Sequence, residues 1–114
     1  MCWVNMIIYA MFAHWIADFI VQRHEWASNK WHSKLALSKH VATYTAVMVT
    51  MLAPFGLWWQ ALVIGVLHWP VDYVTSKITH KLYERGDVHN FFVVVGLDQF
   101  IHFTTIALLL KGTV

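Results

Sequence analysis

Four stretches of about twenty mostly apolar residues follow one another with short joins in a chain of only 114 residues. That pattern constrains the fold more than any other feature. Each stretch is long enough to cross a bilayer as a helix, which takes roughly 20 residues. Inside hydrocarbon every backbone group must be paired within its own segment, so such stretches fold as helices. The expected fold is all-α: a bundle of four transmembrane helices forming one domain over 1–114, with spans at about 3–22, 35–53, 57–76 and 91–110. Pro54 and Gly56 supply a tight turn between the second and third spans.

Composition supports this and excludes other classes. Only 12% of the residues are charged, against roughly 25% in soluble domains. Seven Trp and seven Phe exceed what a soluble domain of this size can hide. The formal charge of +2, with no basic stripe interleaved with aromatics, argues against nucleic acid as a partner. The single Cys2 excludes an internal disulfide and a cysteine-rich metal site. The first apolar stretch has no basic leader and no small-residue cleavage pattern, and reads as a retained span.

Charge placement gives an expected orientation. The basic residues gather at the joins between spans one and two (Arg23, Lys30, Lys34, Lys39) and between spans three and four (Lys77, Lys81, Arg85). By the positive-inside rule both joins face the cytoplasm, and both termini lie on the outer side. Trp3, Trp58 and Trp59 suit the outer interface, and Trp26 and Trp31 the inner one. The stretch 23–34 reads either as a short interfacial helix or as a solvated loop.

The apolar spans carry ionisable residues at one repeated spacing. His14 and Asp18, His68 and Asp72, and Asp98 and His102 are each four residues apart. A four-residue spacing puts both members on one helix face. Span four runs opposite to spans one and three, so its reversed order is what equal depth requires. Counted inward from Arg23, Lys77 and Phe91, the three Asp lie about five to seven residues deep and the three His about nine to eleven, giving two layers roughly 6 Å apart. His40, early in span two, falls near the Asp layer.

Ionisable residues inside a membrane are expensive and mark functional sites. A cluster of carboxylates and imidazoles in low dielectric would protonate or repel unless something neutralises it. A divalent metal does so: His14, Asp18, His40, His68, Asp72, Asp98 and His102 form the expected ligand set, and zinc is the expected ion. The nitrogen and oxygen donors also admit manganese, iron or nickel. Asp18, Asp72 and Asp98 are the candidate catalytic carboxylates. Gln22 and Gln99 are candidate supporting donors, and Lys77 a candidate phosphate contact, with interfacial snorkelling as its plainer explanation. A buried polar network and a proton relay are the competing readings of the same residues.

The strings HWIADFIVQ (14–22), HWPVDYVTSKITHKLY (68–83) and FFVVVGLDQFIH (91–102) resemble the small bacterial and phage membrane proteins of domain-of-unknown-function family 3307. The resemblance covers nearly the whole chain, and Gly-Leu-Asp-Gln-x-x-His is its most specific element. It implies that His14, Asp18, Gln22, His40, His68, Asp72, Asp98, Gln99 and His102 are motif positions, and a bacterial inner-membrane, multi-pass location. It implies no activity. The paired His and Asp are also similar, more weakly, to LexA-regulated inner-membrane hydrolases described as metal-dependent. The His-x-x-x-Asp spacing is similar to that of the all-helical zinc phospholipase C and P1 nuclease group, which implies phosphoester hydrolysis.

The expected function is therefore a metal-dependent hydrolase acting on a membrane lipid or lipid-linked phosphoester from the cytoplasmic leaflet. The alternative is a non-enzymatic membrane module with a structural metal or polar core, self-associating or bound to a host membrane protein. A metal or proton permease fits less well, because the outer half of the spans is poor in polar residues.

Overall fold

The computed structural model describes residues 2–113, which are helical with no strand among them. Helix α1 spans Trp3–Trp15 and runs on as a π-helical segment, Ile16–Ile20. A short helix, α2, covers His24–Asn29. Three long helices follow: α3 (Lys34–Leu52), extended by one 3-10 turn, α4 (Trp58–Glu84) and α5 (Val88–Leu110). The expected spans are all helical, and 23–34 contains the helix rather than only a loop.

Local chemistry explains the boundaries. The Ser33 hydroxyl accepts from the Ala36 amide at 3.1 Å and starts α3. An Asp87 carboxylate oxygen does the same for α5, accepting from the Asn90 amide at 3.2 Å. Gly56 and Gly86 turn the chain with φ of 74° and 73°, values that a side chain would strain.

The long helices alternate in direction. α3 packs on α4 and α4 on α5, while α1 closes the ring against α3 and α5. One end therefore holds the start of α1, the end of α5 and the Pro54 turn, and the other holds α2 and the Gly86 turn. At Gly65 the α3–α4 approach is close enough that an added Cβ would collide with the Thr45 side chain. The longest dimension is 46 Å, comparable to a bilayer with its headgroups at about 40–45 Å.

The distribution of polarity differs from that of a soluble bundle: the outer surface is apolar and part of the interior is polar. Large apolar side chains point outward, among them Ile8, Phe12, Phe19, Val66, Phe100 and Leu108. His14, Asp18, His40, His68, Asp72 and His102 are buried within. Three helical segments, Trp3–Ile20, Lys34–Phe55 and Val88–Leu110, are long and apolar enough to cross a membrane. α4 is the longest helix but falls outside that set, since Gln60, His68, Pro70 and Asp72 dilute its apolar run.

Candidate metal centre

Two backbone irregularities flank the carboxylates at the bundle's centre. Asp18 lies in the π-helical segment, where the Val21 amide reaches back five residues to the Ile16 carbonyl at 3.1 Å. π-turns inside α-helices occur often at functional sites. Here the wider turn carries the Asp18 carboxylate beyond its helix partner, which it meets at only 3.6 Å, toward α3 and α4. In α4, Pro70 removes one backbone donor two residues before Asp72.

Four side chains from three elements converge there: Asp18, His40, His68 and Asp72. The two imidazole Nε2 atoms face each other at 3.1 Å. Asp18 Oδ1 is 3.0 Å from His40 Nε2 and 3.4 Å from His68 Nε2. Asp72 Oδ2 is 3.3 Å from each of them. Donors about 2.0–2.1 Å from a zinc ion at tetrahedral angles stand about 3.3–3.4 Å from one another. Five of the edges of that tetrahedron are thus present at close to the required length. The donor set fits as well, since two carboxylates balance a dication and two neutral imidazoles complete it.

A second group adjoins the first. Asp18, Asp98 and His102 also converge. His102 Nε2 is 3.3 Å from Asp98 Oδ1 and 3.3 Å from Asp72 Oδ1, so Asp72 turns one oxygen toward each group. The three expected pairs each share a face, but the two expected layers merge. Imidazole and carboxylate arms from helices of opposite direction reach across the separation of their Cα positions.

Gln99 organises the neighbourhood. Its amide nitrogen donates to Asp18 Oδ2 at 3.2 Å and to Asp98 Oδ2 at 3.1 Å. Carboxylates only accept, so the amide oxygen must face His14 Nε2, at 2.9 Å, and that nitrogen must carry the proton. His14 Nδ1 then accepts from the Tyr44 hydroxyl at 2.6 Å. Both His14 ring nitrogens are engaged in this way, which places it beside the four-residue group, where it orients Gln99. The Thr75 hydroxyl donates to Asp98 Oδ1 at 2.6 Å. The His68 ring stacks between Tyr44 and His102, each 4.0 Å away.

A cavity of about 120 Å³ opens beside the groups, walled by Asp18, Asp72, Asp98, Gln99, Gln22 and Lys30 among others. The Gln22 amide oxygen is buried there without a hydrogen-bond partner. Lys77 lies away from this wall: its amine donates to the Trp31 carbonyl at 2.9 Å and sits over the Tyr73 ring. The cation at the centre is Lys30, whose amine donates to Asp72 Oδ2 at 3.2 Å. Burial alone would lower the Lys30 pKa, but the Asp72, Asp18 and Asp98 carboxylates outweigh it and raise it.

Lys30 carried no signal in the sequence, because it follows α2 in a join where any lysine reads as solvated. Tyr44 did carry one: it stands four residues after His40, the same spacing that marks the other pairs.

No curated protein and no solved structure shows detectable similarity to the chain. A family model described as "Protein of unknown function (DUF3307)" matches residues 6–114. With the match running over nearly the whole length and through every residue of both groups, the chain belongs to the DUF3307 family.

Proposed function

We propose that the protein is an integral-membrane, metal-dependent hydrolase of lipid or lipid-linked phosphoesters. The observation that carries the metal is the near-tetrahedral set of Asp18, His40, His68 and Asp72 donors, with edges of 3.0–3.4 Å. In this reading α4 is the fourth span, tolerated in lipid because its polar residues face the bundle interior. The basic end faces the cytoplasm of a bacterial inner membrane and the termini face outward.

With four side chains already around it, a bound zinc ion would act on a water molecule, lowering its pKa to near 7, and on a phosphoryl oxygen through a fifth coordination position on the cavity side. The chain's own groups divide the remaining work. Asp18, His40, His68 and Asp72 would hold the ion. Asp98, the most accessible of the three buried-cluster acids with 13% side-chain exposure, borders the cavity as general base. Thr75 and Gln99 fix its two oxygens, and the His14–Tyr44 pair fixes Gln99. His102 borders Asp72 and Asp98 and completes the second group.

One observation favours the competing, non-enzymatic reading. Lys30 already pairs with Asp72, so part of the buried charge is balanced by the chain itself. In that case the centre is a polar core that sets helix register in a partner-binding module.

Metal analysis of the detergent-purified protein separates the two. The proposal expects near-stoichiometric metal that is lost in His68→Ala and in Asp72→Asn. Metal-free wild type, purified without chelator, sinks it. Chelator-sensitive product release from a panel of phospholipids then tests hydrolysis; metal without turnover on any of them leaves a metal-stabilised module.

A further inference from the structure

The cavity at the metal centre does not end at Lys30. A second, larger cavity of about 610 Å³ continues from it beneath α2, between the ends of α4 and α5. The two share Lys30, Ser76, Thr79 and Val95 as a common wall. Their linings differ in kind. The small cavity is bordered by three carboxylates and two amides. The large one is walled by Ala27, Trp31, Tyr83 and Phe91 together with His24, Ser28 and His80, and its lining surface is mostly apolar. Trp31 is held in place by stacking on His80, with ring centroids 3.5 Å apart and planes within 7°. At the junction, Ser76 is 8% exposed and its hydroxyl is buried with no hydrogen-bond partner. A buried hydroxyl without a partner is rare and points to a missing one. It stands on the same wall as the Lys30 amine.

A polar chamber opening through a cation and an unpaired hydroxyl into an apolar groove is the shape of an amphiphile with an anionic head. We propose that the site takes a phosphate-bearing membrane lipid, its phosphate at the Lys30–Ser76 junction and the first part of its chain in the groove under α2. This rests on the metal-centre reading. Three carboxylates against one lysine would repel a phosphate, so the head binds only when a dication is present. α2 and Trp31 lie at the interface end of the bundle, where a chain drawn from the adjacent leaflet enters sideways. A soluble phosphate ester would leave the larger cavity unused.

The test uses the full chain in nanodiscs of zwitterionic lipid, zinc-loaded or chelator-stripped, with metal content measured on every sample. The probes are inorganic phosphate and butyl, hexyl and octyl phosphate, followed by phosphorus NMR. The loaded-minus-stripped difference cancels ordinary partitioning into the disc. Affinity should rise about threefold or more with each two carbons added. Lys30→Gln should weaken every probe about tenfold or more, and Lys30→Arg should restore most of that. Ala27→Trp, which fills the groove away from the metal ligands, should flatten the chain-length dependence and leave inorganic phosphate within about twofold. A flat series in zinc-loaded wild type overturns the lipid assignment and identifies a free phosphate ligand. Equal binding in loaded and stripped discs overturns the head position. Protein that takes up no metal fails the metal-centre reading instead, and the metal measurement shows which has failed.

Discussion

In the half of the bundle that holds the start of α1 and the end of α5, Met6, Ala10, Met48, Leu52, Leu57, Ile106 and Leu110 meet with almost no exposed surface. In the other half the same four long segments bring together Asp18, His40, His68, Asp72 and His102, just as deeply buried. The first half is held by close packing, and its few polar groups stand apart from one another: Tyr9 donates across from α1 to the Met51 carbonyl of α3 at 3.0 Å, and Gln60 keeps a buried amide oxygen without a partner. The second half has charges that packing cannot satisfy. It depends on Gln99, Lys30 and, in our reading, a metal ion. The dry half also bears on transport. Its buried apolar layer separates the polar centre from that end of the bundle, which in our reading suits chemistry at the site rather than passage through it.

Experiments on the two halves should therefore give opposite signatures. The largest effect belongs to the polar half. His40→Ala or His68→Ala should abolish metal binding, because the two carboxylates still balance the charge but the ion loses one of its four donors. Inductively coupled plasma analysis checks this, and retention of full metal would remove these residues from the ligand set. Next comes Met48→Ala in the dry half. It should cost stability toward the lower end of about 2–5 kcal/mol, since Met48 stays out of water in lipid even when the helices separate. Metal content should not change. Denaturation in mixed micelles reads the first and metal analysis the second; loss of metal here would show that the halves are not independent.

Gly65→Ala sits at the boundary and sharpens the comparison. Its methyl group would meet Thr45, forcing α3 and α4 apart at a cost of about 1–3 kcal/mol. Since His40 and His68 come from those two helices, metal affinity should fall along with stability, unlike in Met48→Ala. Double substitution with Thr45→Ala should recover much of both. The smallest effect is expected for Lys77→Gln. Its amine caps the Trp31 carbonyl rather than the cluster, so metal content should stay unchanged and stability should fall by at most about 1 kcal/mol. A clear loss of metal would return Lys77 to the site.

The legible and illegible parts of this molecule divide by how far each feature depends on local geometry. Helix spans, the Gly56 turn and the shared faces of the three His/Asp pairs follow from spacing along one chain segment, so they could be read before any tertiary contact was known. Shared depth followed from helix direction, and it correctly drew in His40. The merging of the two layers did not follow, because it depends on side-chain reach between helices. Nor did the engagement of His14 with Tyr44 and Gln99, which depends on which way a glutamine amide points once two carboxylates hold it.

By itself the sequence determined that the chain is helical, that its long segments are apolar, and that the members of each His/Asp pair share a helix face. Those are consequences of hydropathy and of a 3.6-residue period, which act within each helix. Only the tertiary structure decided which atoms face a common point, that Lys30 rather than Lys77 reaches them, and that an apolar groove continues from the cluster under α2. Those outcomes rest on distances of about 3 Å between residues tens of positions apart, and only the packing of the helices against one another sets them.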